Sequence, residues 1–296
     1  MKKNILIIAP LFALAFQLHA EEISNTIVEQ WDCGQNCMAT LYDDGLFKVE
    51  PIDNTQEAVM NNYTYKRDLL QTNPDVYSRF YTTAPWRDEE GHFEQIQKIV
   101  VAEGVQNVGD CAFYVDSGER EKSHVKEVVL PQRLNKIGYD TFGSNNITSI
   151  TIPEGVKELA GFAFARSAIE TLIIPESVET IGYYAFRNCD NLKSIIIGDN
   201  VSSIGLNAFI ETPTYVYCKE GDGHGSKSCA ELLADSAIDP KKLKIYTIDS
   251  NGKIKVGDKT YDSFDDLPKY VLRRIYTLKE AEEASGKTNT VSIRYR

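Results

Sequence analysis

Basic residues are in short supply. Lys and Arg total 32 against 43 Asp and Glu, a net charge of −11. So acidic a chain is poorly suited to nucleic acid, whose phosphates must be neutralised by Lys and Arg, and to an anionic lipid surface. Histidine is scarcer still, with four in 296 residues, which leaves little material for imidazole ligands or general bases. Past the N-terminus no apolar run is long enough to span a bilayer. The motifs G-x-S-x-G and H-E-x-x-H and the kinase signatures are missing. Gly286-Lys287-Thr288 looks like the close of a phosphate loop, but Ala281 stands where that loop needs Gly, so the segment reads as a helix stop. Gly221 to Gly225 lacks the acidic spacing of an EF-hand and reads as a plain loop. His92 and His124 lie in charged, loop-like segments and read as solvated. No catalytic residue and no cofactor are assigned. With 42% hydrophobic and 25% charged residues, the composition is that of a folded globular chain.

The N-terminus has the order of an export signal. Lys2 and Lys3 are followed by an apolar run from Ile5 to Phe16, then Leu18-His19-Ala20 with a small residue before the acidic Glu21-Glu22. The run is short for a transmembrane helix, which needs about 20 residues. The expectation is a cleaved signal over residues 1–20 and a mature protein in the periplasm or outside the cell.

The centre is self-similar. Five segments align on an apolar ladder that ends in Phe113, Phe142, Phe164, Phe186 and Phe209, spaced 29, 22, 22 and 23 residues apart. The third runs Ile147-Thr-Ser-Ile150-Thr-Ile152-Pro153, then Val156, Leu159-Ala160 and Ala163-Phe164; the fourth runs Ile169-Glu-Thr-Leu172-Ile-Ile174-Pro175, then Val178, Ile181-Gly182 and Ala185-Phe186. The long first spacing holds a charged insertion, roughly residues 115–124, read as a surface loop. The I-x-I stretch alternates as a half-buried strand does. Pro or Gly ends it, V-x-x-I turns two more side chains inward, a Gly relieves a tight turn, and A-F supplies a small residue and a ring to fill the coil. One such unit cannot bury its own apolar face, so stacking is required. The prediction is that the five phenylalanines form one internal row.

This L-x-x-I-x-I-P-x-x-V-x-x-I-G-x-x-A-F pattern resembles the BspA-like class of bacterial leucine-rich repeats. The resemblance covers about residues 94–213, and two flanking features share it: Trp31-Asp32-Cys33-Gly34 with Cys37 to Gly45, and Ala84-Pro85-Trp86. Ala102 and Gly198 depart from the pattern where it has Pro, Ala160 where it has Gly, and Thr141 where it has Ala. The resemblance implies an α/β leucine-rich repeat solenoid, right-handed, of about five repeats with short parallel strands. It also implies a surface or secreted protein that binds other proteins.

Four regions follow: the signal at 1–20, an N-terminal cap at 21–93, the solenoid at 94–213 and a C-terminal α+β cap at 214–296. In the first cap, Met38–Leu41 and Leu46–Val49 flank a turn at Tyr42 to Gly45. In the second, Tyr215 to Tyr217 reads as a strand and Ser228-Cys229-Ala230-Glu231 as a capping box. Leu243–Ile248 with Lys253–Val256 reads as a hairpin, Thr277 to Glu280 opens another helix, and Val291 to Arg296 alternates like a strand.

The six cysteines permit 15 pairings. Coils sit about 4.8 Å apart, so Cys111 in the first repeat and Cys189 in the fourth are roughly 14 Å from each other. A disulfide needs Cα atoms within about 7 Å. Both are therefore read as thiols, Cys189 in a column otherwise filled by Asp116, Asn145, Ser167 and Thr212. Cys33 with Cys37 and Cys218 with Cys229 are the local disulfide candidates. The alternative for either pair is half of a metal site, but His92, His124 and His224 show no ligand spacing, so no metal is assigned.

Two surfaces are candidates for a protein or peptide partner. One is an outward strand column, Val100, Val129, Thr151, Ile173 and Ile196, more apolar than an exposed ladder needs to be. The other follows the Gly of each repeat: Tyr139, Phe162, Tyr183 and Tyr184, aromatics of the kind favoured at interface centres. The strand face measures roughly 400 Å², about half of what each partner buries in a standard complex, so it needs help from its flanks or from multivalency. The expected function is a non-catalytic interaction or adhesion module. The alternatives are a self-associating envelope component and an enzyme in the C-terminal region.

Overall fold

A computed structural model describes residues 26–64, 83–87, 90–115, 120–220 and 224–268. The expected signal at 1–20, the helix opening at Thr277, the strand at 291–296 and Asp116 lie outside the described residues.

The N-terminal cap begins with an antiparallel meander, β1 (Ile27–Gln35), β2 (Cys37–Tyr42) and β3 (Leu46–Pro51). The expected turn at Tyr42 to Gly45 joins β2 to β3, with Leu41 opposite Phe47. A short strand β4 (Val59–Met60) pairs back on β1, and α1 (His92–Gln95) precedes the first repeat. From there each of the five repeats contributes a two-residue strand, and all but the third a longer one. The chain order is β5 (Lys98–Val101), β6 (Asn107–Val108), β7 (Glu127–Val129), β8 (Lys136–Ile137), β9 (Glu158–Leu159), β10 (Thr171–Ile173), β11 (Thr180–Ile181), β12 (Ser194–Ile197) and β13 (Ser203–Ile204). The short strands stack as one parallel sheet, β13-β11-β9-β8-β6. The longer strands form two sheets, β4-β1-β2-β3-β5-β7 and a second from β10 onward, because Ser149 to Thr151 of the third repeat makes no strand.

The stack does not stop at Phe209. β14 (Tyr215–Lys219) pairs parallel with β12, and β15 (Leu243–Ile248) pairs parallel with β14. Between them the Ser228-capped α2 (Cys229–Leu232) and the turn after it return to the coil wall, where Asn207 and Phe209 donate their N–H groups to the carbonyls of Asp235 and Ser236. The hydrogen-bonded ladder thus crosses residue 214 without a break. β15, β16 (Ile254–Val256) and β17 (Lys259–Tyr261) then form an antiparallel ribbon. Among the described residues the only α-helical pieces are the four residues of α1 and of α2, so the fold is a strand-rich solenoid of about six turns.

The predicted internal row is present. Ring centroids of Phe113, Phe142, Phe164, Phe186 and Phe209 follow one another at 5.9, 5.7, 5.7 and 5.5 Å, near-parallel in every step. Trp86 continues the row at the N-terminal end, 5.7 Å from Phe113, with its indole N–H donated to the Ala112 carbonyl. The backbone beside the rings forms its own ladder: the N–H of Phe142, Phe164 and Phe186 each donates to the Ala of the next coil at 2.9 Å.

The repeat glycine has a different cause from the one expected. Neither Gly182 nor Gly205 has a left-handed backbone; instead a Cβ on either would lie 2.3 Å from a backbone nitrogen of the preceding coil. It is the close approach of coils that excludes a side chain. The left-handed turn falls two residues later, at Cys111, Asp140, Phe162, Tyr184 and Asn207, with φ between 47° and 58°.

Cys189 is a free thiol, as its column suggested, and it is fully buried. It donates to the Phe164 carbonyl at 3.1 Å, just as Asn145 donates to the Phe113 carbonyl and Thr212 to that of Phe186. Burial pushes the Cys189 thiol up to about 11.

Candidate partner-binding surface

The strand column does not form one exposed stripe. Val100 and Val129 are half-buried, Thr151 is exposed and Ile173 is 52% exposed, but Ile196 is only 7% exposed. The expectation fails at Ile196 because the β15–β17 ribbon folds over it. Ile196, Tyr217, Tyr246, Ile254 and Leu267 form a second small core, edged by Tyr215, Val256, Tyr261 and Phe264. The Tyr217 hydroxyl donates to the Pro268 carbonyl at 2.6 Å, and burial raises its pKa above the usual tyrosine range. The apolar column was therefore partly a docking strip for the chain's own C-terminal region.

The aromatic set is brought together. Phe162 lies 5.5 Å from Tyr139, 5.5 Å from Tyr183 and 5.0 Å from Tyr184, and Tyr139 and Tyr183 meet at 6.2 Å. Gly161 makes this possible. A Cβ there would sit 2.9 Å from the Tyr183 ring, which lies across the third coil in the space a side chain would fill. Tyr183 is 48% exposed, and Leu206, at the same position of the next coil, is 58% exposed. The Arg187 guanidinium stands 5.4 Å from the Tyr184 ring, and the Asn207 amide donates to the Tyr184 hydroxyl at 3.2 Å. Four rings from three successive coils thus form one continuous patch with a cation at its rim.

The backbone does not favour rings at two of these positions. Phe162 and Tyr184 have φ of 58° and 55°, a region that Asn and Asp tolerate and bulky residues avoid at about 1–2 kcal/mol. The same position holds Asp140 and Asn207 in neighbouring coils. Sequence reasoning found the aromatic column but had no signal for this strain.

Of the histidines, His124 is exposed as expected, with Nδ1 2.7 Å from the Glu94 carbonyl. His92 is buried, its ring edge-on to Trp31 at 5.5 Å, because α1 is drawn into the apolar end of the cap. His224 is also buried. Cys218 and Cys229 are joined by a disulfide with Cα atoms 6.0 Å apart. Cys33 and Cys37 face each other across the β1–β2 turn with sulfurs 3.2 Å apart as a thiol pair, and that hydrogen bond, with burial, raises the Cys33 pKa. Among the described residues one group could hold a metal ion: Cys218, His224 and Cys229.

Residues 120–217 match the BspA type Leucine rich repeat region in 6 copies. That stretch, about a third of the chain, is similar to BspA-type leucine-rich repeats. Among solved structures it is similar to a leucine-rich repeat protein from Eubacterium ventriosum, at 16% identity over 77% of this chain and 48% of that one, with a TM-score of 0.51. That likeness establishes the fold, and this chain spans about half the length of its relative. More distant likenesses are the pneumococcal vaccine antigen PcpA (18% identity, 58% of this chain and 39% of that one, TM-score 0.40) and a leucine rich cell surface protein from Faecalibacterium prausnitzii (16% identity, 77% and 60%, TM-score 0.33). No curated protein matches the chain. No helix among the described residues is long and apolar enough to cross a membrane.

Proposed function

We propose that this is an exported, non-catalytic interaction module that binds a protein or peptide partner through the ring patch of Tyr139, Phe162, Tyr183 and Tyr184. The carrying observation is that two of the rings occupy left-handed backbone positions where neighbouring coils use Asp and Asn. Packing energy alone does not select rings there. A contact surface does, since clustered aromatics beside an arginine are what interface centres are made of. Val100, Val129, Thr151 and Ile173 supply a secondary surface, and Ile196 is withdrawn from it. The order of Lys2-Lys3, apolar run and Ala20 supports export.

End-to-end self-stacking is less well supported, because both ends of the coil stack carry chain. Trp86 and β1 to β4 cover one end and the segment around α2 the other. The C-terminal ribbon has a packing role over Ile196, which accounts for it without catalysis. In the test, a photo-crosslinking residue replaces Leu206 in the full chain, produced in its own cells. Binding predicts a crosslink to one foreign protein that disappears when Tyr183→Ala is added. Crosslinks only to a second copy would favour self-association, and no crosslink would sink the patch. N-terminal sequencing of the mature protein checks export, with Glu21 expected first.

A further inference from the structure

Cys218, His224 and Cys229 meet at the C-terminal end of the stack. Cys218 comes from β14, Cys229 opens α2, and His224 lies on the connection between them. All three are buried, and their donor atoms lie within 4.8 Å of one another. His224 is only 1% exposed. Its Nδ1 is 3.0 Å from the Val201 carbonyl, which can only accept, and the tautomer with the proton on Nδ1 satisfies that contact. In that tautomer Nε2 presents a lone pair. Its neighbours are the Cys218 sulfur at 3.3 Å and the Lys219 carbonyl at 3.3 Å. The geometry thus holds a buried imidazole with one nitrogen on the Val201 carbonyl and the other beside the Cys218 sulfur.

The same arrangement suits a metal ion. Ligand histidines ordinarily hold one ring N–H on a backbone carbonyl and offer the other nitrogen to the ion. Here the carbonyl is that of Val201, and the other nitrogen lies beside the two sulfurs, 3.3 Å from that of Cys218. Thiolate and imidazole together select Zn²⁺ or Cu⁺ among biological cations. The C-x5-H-x4-C spacing is not a familiar ligand motif, which is why the half-site reading of Cys218 and Cys229 found no histidine partner by spacing; β14 and α2 fold the loop so that its two ends and its centre converge.

We propose that the reduced Cys218–Cys229 pair and His224 form a binding site for a thiophilic d10 cation, Zn²⁺ or Cu⁺, which the disulfide closes. Opening the site takes two electrons and two protons from a dithiol, which leaves as its own disulfide while Cys218 and Cys229 become thiols. The ion then displaces both thiol protons and is held by two thiolates and the His224 Nε2. Zn²⁺ would leave the site neutral, with water as a fourth ligand; Cu⁺ would be three-coordinate. The site would make the C-terminal end of the stack responsive to the redox state of its compartment.

The test uses the full chain, reduced with a phosphine (water supplying the oxygen of the phosphine oxide) or left oxidised, then freed of reductant. Each form is titrated with Zn²⁺ and, anaerobically, with Cu⁺ against a chromophoric chelator. The reduced chain is expected to take up one equivalent that the oxidised chain does not. His224→Ala is expected to weaken that equivalent at least 100-fold. Cys33→Ala, which disables the other thiol pair, is expected to leave it unchanged. Zn²⁺ uptake with tetrahedral absorption after Co²⁺ replacement identifies the four-coordinate site, and Cu⁺ uptake alone the three-coordinate one. The proposal is overturned if reduced and oxidised chains bind both ions equally, or if His224→Ala binds as tightly as wild type. A wild-type comparison needs no mutation, so it stands even where a variant fails to fold.

Discussion

Removing the Phe164 ring tests whether the phenyl row holds the stack together. Phe164 is completely buried, with Phe142 and Phe186 stacked on it at 5.7 Å on either side. Phe→Ala in a packed core costs about 3–5 kcal/mol. Two stacked ring pairs are worth about 0.5–1.5 kcal/mol each beyond area burial, so Phe164→Ala should fall at the top of that range, about 4–5 kcal/mol. Phe164→Leu keeps most of the volume and loses the two pairs, for about 1–3 kcal/mol. Phe209 stacks on one phenyl ring, Phe186, so Phe209→Ala should cost about 1 kcal/mol less than Phe164→Ala. Urea unfolding of the full chain, followed by far-UV circular dichroism and compared by midpoint at constant slope, reads these differences. If Phe164→Ala costs under about 2 kcal/mol, or Phe164→Leu costs as much as Phe164→Ala, the row is not a rigid internal stack and the reasoning fails.

Tyr184→Asn should remove the left-handed strain, about 1–2 kcal/mol, and lose ring contacts of similar size. Stability should then stay within about 1 kcal/mol of wild type while partner crosslinking at Leu206 disappears; a large loss of stability would mean that the ring is structural. Ile196→Lys should place an ammonium among Tyr217, Tyr246 and Ile254 and destabilise by several kcal/mol or release the ribbon to protease, whereas Ile173→Lys should change stability by less than about 0.5 kcal/mol; equal effects would contradict the covering of Ile196. The Cys189 thiol, with its pKa raised from 9.0 to about 11, stabilises the fold fully below pH 9. That contribution should fade between pH 9 and 11 as the unfolded thiol ionises first, up to about 3 kcal/mol. Cys189→Thr, which copies Thr212, should flatten that part of the pH–stability curve.

Much of this was legible because a repeat states its pattern several times. One Phe in a loop means little; five at coil spacing with the same apolar ladder require a shared interior, and Phe113 to Phe209 form it. The aromatic column was legible for the same reason, since alignment of repeats gives spatial neighbours directly. The covering of Ile196 was not. Its partners Tyr246, Ile254 and Leu267 lie outside the repeat, about 50 to 70 residues on, where no periodicity links them. The glycine column was seen but given the wrong cause, because the distance between coils cannot be read from one coil.

The coil, its inward residues and its ring row were readable from the amino-acid order, because they depend on local period and on burial that every copy repeats. Which outward faces stay open, where the ladder ends and how His224 comes to lie beside Cys218 and Cys229 emerged only from the folded chain. Those depend on how non-repeating segments return to the stack. Such returns are set by side-chain packing and hydrogen bonds between residues far apart in the chain, which leave no period to read.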